Sequence, residues 1–138
     1  MYCLDAKTGR LAWKHSIADQ IRCTPTIVED RVFLAGCDSK LHVLDLTQGA
    51  SVSQVEIRAP TGVTPAVQGD FVYFGTEAGE FFCVNWRIPA VVWSYQDEGG
   101  TQPYRSSAAV KGESVVVGSR NKRLQSLNAK TGKVQWSF

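Results

Sequence analysis

This sequence lacks the features that mark several large classes of protein. No apolar run approaches the roughly 18–20 residues of a membrane-spanning helix, and the N-terminus shows no basic-then-apolar signal segment. Charged residues make up only 20% of the chain and the net charge is +2, which argues against a disordered chain and against bulk nucleic-acid affinity. Helical periodicity is also missing. We therefore predict a globular all-β chain with no membrane span and no nucleic-acid partner.

Patterns typical of metal sites and disulfides are missing too. The four cysteines form no C-x-x-C pair, and the two histidines, His15 and His42, have no ligand spacing relative to them. We therefore predict no metal site. Cys23 and Cys37 flank one predicted hairpin, but its register offsets them by one residue. That offset puts the two thiols on opposite faces, so no disulfide is expected.

What the sequence does contain is a repeat of about 40 residues. Trp13 and Trp93 lie two such steps apart, and Trp136 follows one step later with three extra residues. The missing tryptophan of this series falls at Ser53. A unit of this size cannot bury its apolar faces alone, so neighbouring repeats must stack on one another.

Each repeat is predicted to form four short strands. A β-rich segment, a two-residue turn and a second apolar strand open the unit, and two further strands follow. The three predicted turns are Glu29-Asp30, Gly69-Asp70 and Gly112-Glu113. Four antiparallel strands in some 40 residues are typical of a propeller blade. The predicted fold is therefore a partial β-propeller of four-stranded antiparallel blades.

The repeat register divides the chain into one half blade and three full blades. The half blade, residues 1–20, holds only the last two strands of a unit, and the blades span 21–56, 61–97 and 104–138. We therefore expect the chain to be a piece of a larger propeller. Unpaired blade edges invite pairing with other chains, so self-association is a further expectation.

One recurring motif is specific enough to indicate a family. Residues 3–13 and 126–136 match the pattern Ala-x-Asp-x-x-Thr-Gly-Lys-x-x-Trp with small changes. Residues 83–93 keep the tryptophan but lose the Thr-Gly, and residues 43–53 keep the glycine but lose the tryptophan. The chain resembles the quinoprotein-type (PQQ-like) β-propeller repeats, whose tryptophan-docking motif this is. The resemblance covers nearly the whole chain.

The resemblance implies structural roles for two sets of residues. In this family the tryptophan lies between blades and the glycine permits the turn that receives it. The residues in these docking positions are Trp13, Trp93, Trp136, Gly9, Gly49 and Gly132. Cys3 and Cys83 occupy the small-residue position of the motif, where a thiol acts as a small buried hydrophobe.

The same resemblance implies two possible functions. Family members include quinone-carrying alcohol and glucose dehydrogenases and a non-enzymatic outer-membrane assembly scaffold, and many are exported. We predict a non-catalytic binding or scaffold module with no cofactor, part of a larger and exported or periplasmic protein, whose partners are other proteins or the remaining blades. The alternative is part of a quinoprotein dehydrogenase, which would need PQQ and calcium. The adjacent cysteine pair of those dehydrogenases is absent.

Repeated polar positions are better explained by architecture than by catalysis. Asp5, Asp45, Asn85 and Asn128 share one position of the repeat, where short polar side chains accept hydrogen bonds from the turn backbone. His42 aligns with other third-strand residues, so packing or a satisfied polar contact is expected there.

The best candidate for binding is the loop face of the propeller. Arg22 and Arg105 each precede a first strand, and Gly62 takes the equivalent place between them. Convergent guanidinium groups suit carboxylates or phosphates. The alternative is that these loop cations are simply solvated. The predicted binding residues are Arg22, Tyr104, Arg105, Arg120, Lys122 and Arg123.

Overall fold

The computed structural model describes residues 1–98 and 102–138, and in them all regular structure is β-sheet. Sheet A contains β1 (Tyr2–Leu4) and β2 (Leu11–Lys14). Blade B contains β3 (Thr26–Val28), β4 (Arg31–Ala35), β5 (Lys40–Asp45) and β6 (Ser51–Glu56). Blade C contains β7 (Ala66–Gln68), β8 (Phe71–Gly75), β9 (Glu80–Asn85) and β10 (Ala90–Gln96). Blade D contains β11 (Ala109–Lys111), β12 (Ser114–Gly118), β13 (Leu124–Asn128) and β14 (Val134–Ser137).

Each sheet is an antiparallel meander in which consecutive strands pair. This confirms the predicted all-β partial propeller with four-stranded blades. In the part of the chain that the structure describes, no helix has the length and apolar character needed to cross a membrane.

The first two strands of each blade meet at the predicted two-residue turns. Val28 lies opposite Arg31 in blade B, and the same pairing recurs in blades C and D. The first turn residue has a positive φ at all three turns, 54° at Glu29, 58° at Gly69 and 59° at Gly112. A left-handed residue there gives the hairpin a twist that matches its strands.

The repeated Asp and Asn residues hold the turn between the third and fourth strands. In blade B the Asp45 carboxylate accepts hydrogen bonds from the backbone nitrogens of Thr47 and Gln48, both at 2.9 Å. Asn85 makes the equivalent bonds in blade C even though the Thr-Gly is lost there. The prediction that these residues stabilise turns is confirmed.

The hydrophobic core lies between blades rather than within one sheet. Blades B and C enclose one buried cluster, which includes Phe33, Val43, Phe74 and Trp86. Blades C and D enclose a second cluster around Tyr73, in which burial also leaves Cys83 with no exposed surface. Both faces of blade C are therefore covered, which explains why its central strands are apolar on both sides.

Two of the tryptophans join blades in the same way. Trp13 of sheet A lies against Gly49 of blade B and donates its indole N–H to the Leu46 carbonyl at 2.8 Å. Trp93 of blade C lies against Gly132 of blade D, with its N–H 3.0 Å from the Ala129 carbonyl. Each ring thus packs on the motif turn of the next blade.

The joint between blades B and C is built differently. Ser53 stands where the tryptophan would be, and the glycine of the receiving turn is replaced by Pro89. Trp86 of blade C fills this joint instead, with its ring 5.5 Å from the Phe33 ring of blade B. Its indole N–H donates to the Gly69 carbonyl of its own blade at 3.0 Å. The tryptophan here points back to the preceding blade.

Candidate functional site

The loop face brings Arg22 and Arg105 together. Both arginines line one open cavity of about 200 Å³, together with Gly62, Val63 and Glu77. Gly62 makes room for this arrangement, because a Cβ atom there would lie 3.2 Å from the Arg22 Cβ. The Gly62 backbone, which carries no side chain, thus lines the cavity together with the two arginines.

Glu77 is the carboxylate that lines this cavity. It accepts two hydrogen bonds from Arg105, at 3.2 Å from Nε and 3.1 Å from the terminal nitrogen. The Arg105 side chain is still 56% exposed. Arg105 also lines a neighbouring depression with Arg120. The loop face therefore carries Arg22 and Arg105 beside one partly exposed acidic residue, and Arg120 lines the adjoining depression.

The structure removes Tyr104 from the predicted binding set. Its side chain is only 2% exposed, because its ring packs 5.4 Å from Phe81 and covers Gly75. Burial also raises the pKa of the Tyr104 hydroxyl. The sequence places Tyr104 on the loop face beside Arg105, but in the structure it is a core residue between blades C and D.

Lys122 and Arg123 also lie apart from the arginine cavity. Lys122 occupies a tight turn with a φ of 68°, and it lines neither of the two cavities that contain Arg105. Arg123 donates to the Asp97 carboxylate at 3.0 and 3.2 Å. The predicted set therefore divides, with Arg22, Arg105 and Arg120 in one region and Arg123 paired elsewhere.

Sequence reasoning missed Glu77 and Asp97. Glu77 precedes Arg105 by 28 residues and Asp97 precedes Arg123 by 26, in a different repeat, so spacing alone gives no signal. The repeat register does contain a signal for Asp97, because Asp97 stands where the preceding repeat has the apolar residue Ile57.

A second polar cluster lies between sheet A and blade B. His42 is 3% exposed, and its Nε2 lies 2.9 Å from a carboxylate oxygen of Asp38, which is also buried. The His15 ring stands edge-on to it at 6.2 Å. The expected polar contact at His42 is present through Nε2, while its Nδ1 atom is buried without a hydrogen-bond partner among the described residues. The side chains of His42 and Asp38 are only 3% and 6% exposed.

Three of the four cysteines, Cys23, Cys37 and Cys83, are held in the protonated form. Burial raises the pKa of the Cys83 thiol to about 12 and that of Cys23 and Cys37 above the ordinary value. The Cys23 thiol donates to the Ala35 carbonyl and the Cys37 thiol to the Thr61 carbonyl. A raised pKa keeps a thiol protonated and therefore a poor nucleophile.

The alternative of a quinoprotein requires a calcium site beside the quinone. Calcium takes six to eight oxygen ligands, chiefly carboxylates. Within residues 1–98 and 102–138, no three side chains among His, Cys, Asp and Glu converge in a way that could hold a metal ion.

The fold and the interblade tryptophans define a propeller built from PQQ-like repeats. The sequence model of the family described as outer membrane protein assembly factor BamB matches residues 1–51 and 37–138. The chain belongs to this family of PQQ-like repeat proteins, and the resemblance to quinoprotein repeats is confirmed.

Individual relatives come from both branches of the repeat family. The outer membrane protein assembly factor BamB of Moranella endobia is 24% identical over 99% of this chain and 39% of its own length. The quinoprotein alcohol dehydrogenase PedH of Pseudomonas putida is 26% identical over 81% of this chain and 22% of its own. The crystal structure of BamB from Moraxella catarrhalis superposes with a TM-score of 0.81 at 25% identity, over 94% of this chain and 40% of that one. The chain thus spans at most two fifths of the length of these relatives.

Proposed function

We propose that this chain is a non-catalytic binding module that engages a partner protein through its loop face. Arg22 and Arg105 hold acidic side chains of that partner. The observation that carries the proposal is the cavity in which these two arginines meet over the Gly62 backbone. Two guanidinium groups at one concave surface match the planar geometry of carboxylates.

Glu77 does not prevent such binding. Its ion pair with Arg105 is exposed on both sides, with 56% and 31% of the two side chains accessible. Ion pairs of this kind contribute about 0–1 kcal/mol. A partner carboxylate can therefore share or replace Glu77 at low energetic cost. The seven basic residues and one acidic residue between positions 99 and 138 add a field that attracts an anionic surface.

The relatives support a protein as the partner. Two of them are named as outer membrane assembly factors or as BamB, and assembly work requires contact with other proteins. We also propose an exported or periplasmic location for the whole protein on the same basis. The dehydrogenase alternative has the similarity to PedH in its favour, but the described residues contain no convergent group of three or more acidic, histidine or cysteine side chains.

Titration with a hexaglutamate peptide tests the arginine cavity. We expect binding at low salt that weakens about tenfold in Arg105→Ala, equivalent to about 1.4 kcal/mol. Isothermal titration calorimetry would measure both affinities. Lys111→Ala is the matched control, since it removes the same charge from an exposed residue in the first hairpin of blade D.

Equal weakening in Arg105→Ala and Lys111→Ala would show a general charge effect and would contradict the proposed cavity. Oxidation of ethanol or glucose by this chain in the presence of PQQ, calcium and a redox dye would instead support the dehydrogenase alternative.

A further inference from the structure

Glu77 places a negative charge in a cavity that two arginines otherwise make positive. The repeat carries three different side chains at this position, just after the second strand of each blade. In all three blades its backbone N–H donates to a carbonyl of the segment before the first strand, at 3.2 Å for Cys37, 2.9 Å for Glu77 and 3.2 Å for Arg120. The turn therefore forms with a thiol, a carboxylate or a guanidinium, and the fold does not require an acid at position 77.

The backbone also fixes where the Glu77 carboxylate lies. The Thr76 carbonyl accepts a hydrogen bond from the Tyr104 N–H at 3.0 Å, which brings Arg105 beside Glu77. Arg105 donates from two nitrogens to one oxygen of Glu77, Oε2, at 3.2 and 3.1 Å. The second oxygen, Oε1, accepts from no group among the described residues, and it is not one of the buried unpaired atoms. Glu77 thus keeps one accessible carboxylate oxygen without a partner.

This unpaired oxygen affects which ligands the two arginines accept. A carboxylate that binds Arg105 lies next to the Glu77 carboxylate, because both then contact the same guanidinium. Like charges brought together at an interface oppose binding, and opposite charges favour it. A purely acidic segment adds negative charge beside Glu77, whereas a segment with a cation next to its carboxylates neutralises Glu77. The Glu77 carboxylate therefore disfavours the first kind of segment and favours the second.

We propose that the arginine cavity recognises a partner segment in which a lysine or arginine stands beside acidic residues. The acidic side chains bind Arg22 and Arg105, and the basic side chain donates to Glu77 Oε1. All three groups are within reach of a partner, since Arg22 is exposed and Arg105 and Glu77 keep 56% and 31% of their side chains accessible. This charge pattern of the partner is an addition to the proposed function and rests on it.

Two peptides that differ at one residue test the charge pattern. The first is acetyl-Gly-Glu-Lys-Glu-Gly-amide, and the second has Gln in place of Lys. The second peptide carries more negative charge, so attraction to the arginines alone would make it the tighter ligand. The wild type is expected to bind the Lys peptide about fivefold more tightly, the effect of one exposed ion pair. The Arg105 Nε–H signal in ¹H–¹⁵N NMR titrations at low salt gives both dissociation constants.

Glu77→Gln should reverse this preference. Glutamine has the same size and keeps the backbone hydrogen bond of residue 77, but it removes the charge that the lysine contacts. Binding of the Lys peptide should weaken, and binding of the Gln peptide and of hexaglutamate should tighten. Glu80→Gln is the matched control, because it removes the same charge from a residue that lines the cleft between blades B and C instead. It should keep the wild-type preference for the Lys peptide.

The outcomes separate this inference from the proposed function. The inference is overturned if the wild type does not prefer the Lys peptide, a comparison that needs no variant to fold. It is also overturned if Glu77→Gln and Glu80→Gln change the preference equally. Hexaglutamate binding that depends on Arg105 would in those cases leave the proposed function standing. If neither the two peptides nor hexaglutamate bind, both proposals are overturned.

Discussion

The glycines that receive tryptophans explain why the motif pairs these two residue types. At Gly132 an added Cβ would come within 2.7 Å of the Trp93 ring, and φ is +70°. Gly49 meets Trp13 in the same way. Gly9 has a similar φ of +69° but nothing within 4 Å. The chain therefore contains two copies of this glycine turn that are covered by a tryptophan ring and one copy, at Gly9, that is not.

This difference allows backbone strain to be separated from the ring contact. Gly9→Ala should cost about 1–2 kcal/mol, because a left-handed backbone is unfavourable for alanine. Gly132→Ala should cost at least about 1 kcal/mol more, since the methyl group also overlaps the Trp93 ring. Urea unfolding of the two variants measures the difference. Equal losses would mean that the Trp93 ring does not pack on Gly132.

The buried thiol and hydroxyl groups predict sensitivity to alkaline pH. Burial raises the pKa of the Cys83 thiol from 9.0 to about 12 and raises that of Tyr73 as well. The folded state thus holds these protons more tightly than the unfolded chain does. Their contribution to the unfolding free energy is complete below about pH 9 and is lost as the pH rises toward about 12.

We expect the urea midpoint to fall across this range, and to fall less steeply in Cys83→Ala. The control is Cys3→Ala, which changes the equivalent position of sheet A where the cysteine is only partly buried. A slope unchanged in Cys83→Ala would show that this thiol does not contribute to the pH dependence.

At the scale of the elements, the three joints between blades differ although the strands repeat. Trp13 and Trp93 pack forward onto the next blade. At the joint between blades B and C, Trp86 packs backward onto Phe33, and Arg87 lies over its outer face at 4.3 Å. The loss of the tryptophan at Ser53 is therefore compensated by another tryptophan from the opposite side.

Trp86→Ala should destabilise the chain by about 3–5 kcal/mol, because it removes a large buried ring and exposes Phe33. Ser53→Trp should not restore the loss, since Pro89 stands in place of the receiving glycine. Chemical denaturation of the single and double variants tests both statements. Recovery of stability in the double variant would show that the standard joint can still form.

The strands and turns could be predicted because their signals are local. Turn residues and the repeat period define the hairpins and the Asp and Asn positions, and the structure contains them. The reversed joint could not be predicted, because nothing near Trp86 in sequence shows that it faces Phe33. Tyr104 was misplaced for the same reason, since its burial depends on Phe81 and Gly75 in another blade.

At the scale of the whole molecule, the two ends of the described structure carry the two complementary parts of an interblade contact. One end has an exposed tryptophan and the other has a glycine turn on which no ring packs. The Trp136 side chain is 46% exposed, and no described residue occupies the turn at Gly9. A second copy of this chain could place its Trp136 on that turn in the geometry that Trp93 shows with Gly132. Head-to-tail contacts of this kind produce rings or open chains.

Light scattering of the 138-residue chain should therefore show concentration-dependent self-association. Trp136→Ala should shift it to a monomer, whereas Phe138→Ala, which removes an even more exposed ring, should not. A wild-type chain that is monomeric at about 100 µM, well above the micromolar range of a typical weak contact, would contradict the expectation.

The central claim is that Arg22 and Arg105 act on one ligand. A double-mutant cycle measures this directly, with hexaglutamate affinities for the wild type, Arg22→Ala, Arg105→Ala and the double variant. Residues that share a partner show coupling of about 0.5–3 kcal/mol, while independent sites add within about 0.5 kcal/mol. We predict coupling of about 1 kcal/mol. Strictly additive losses would show that the two arginines bind independently and would contradict a common site.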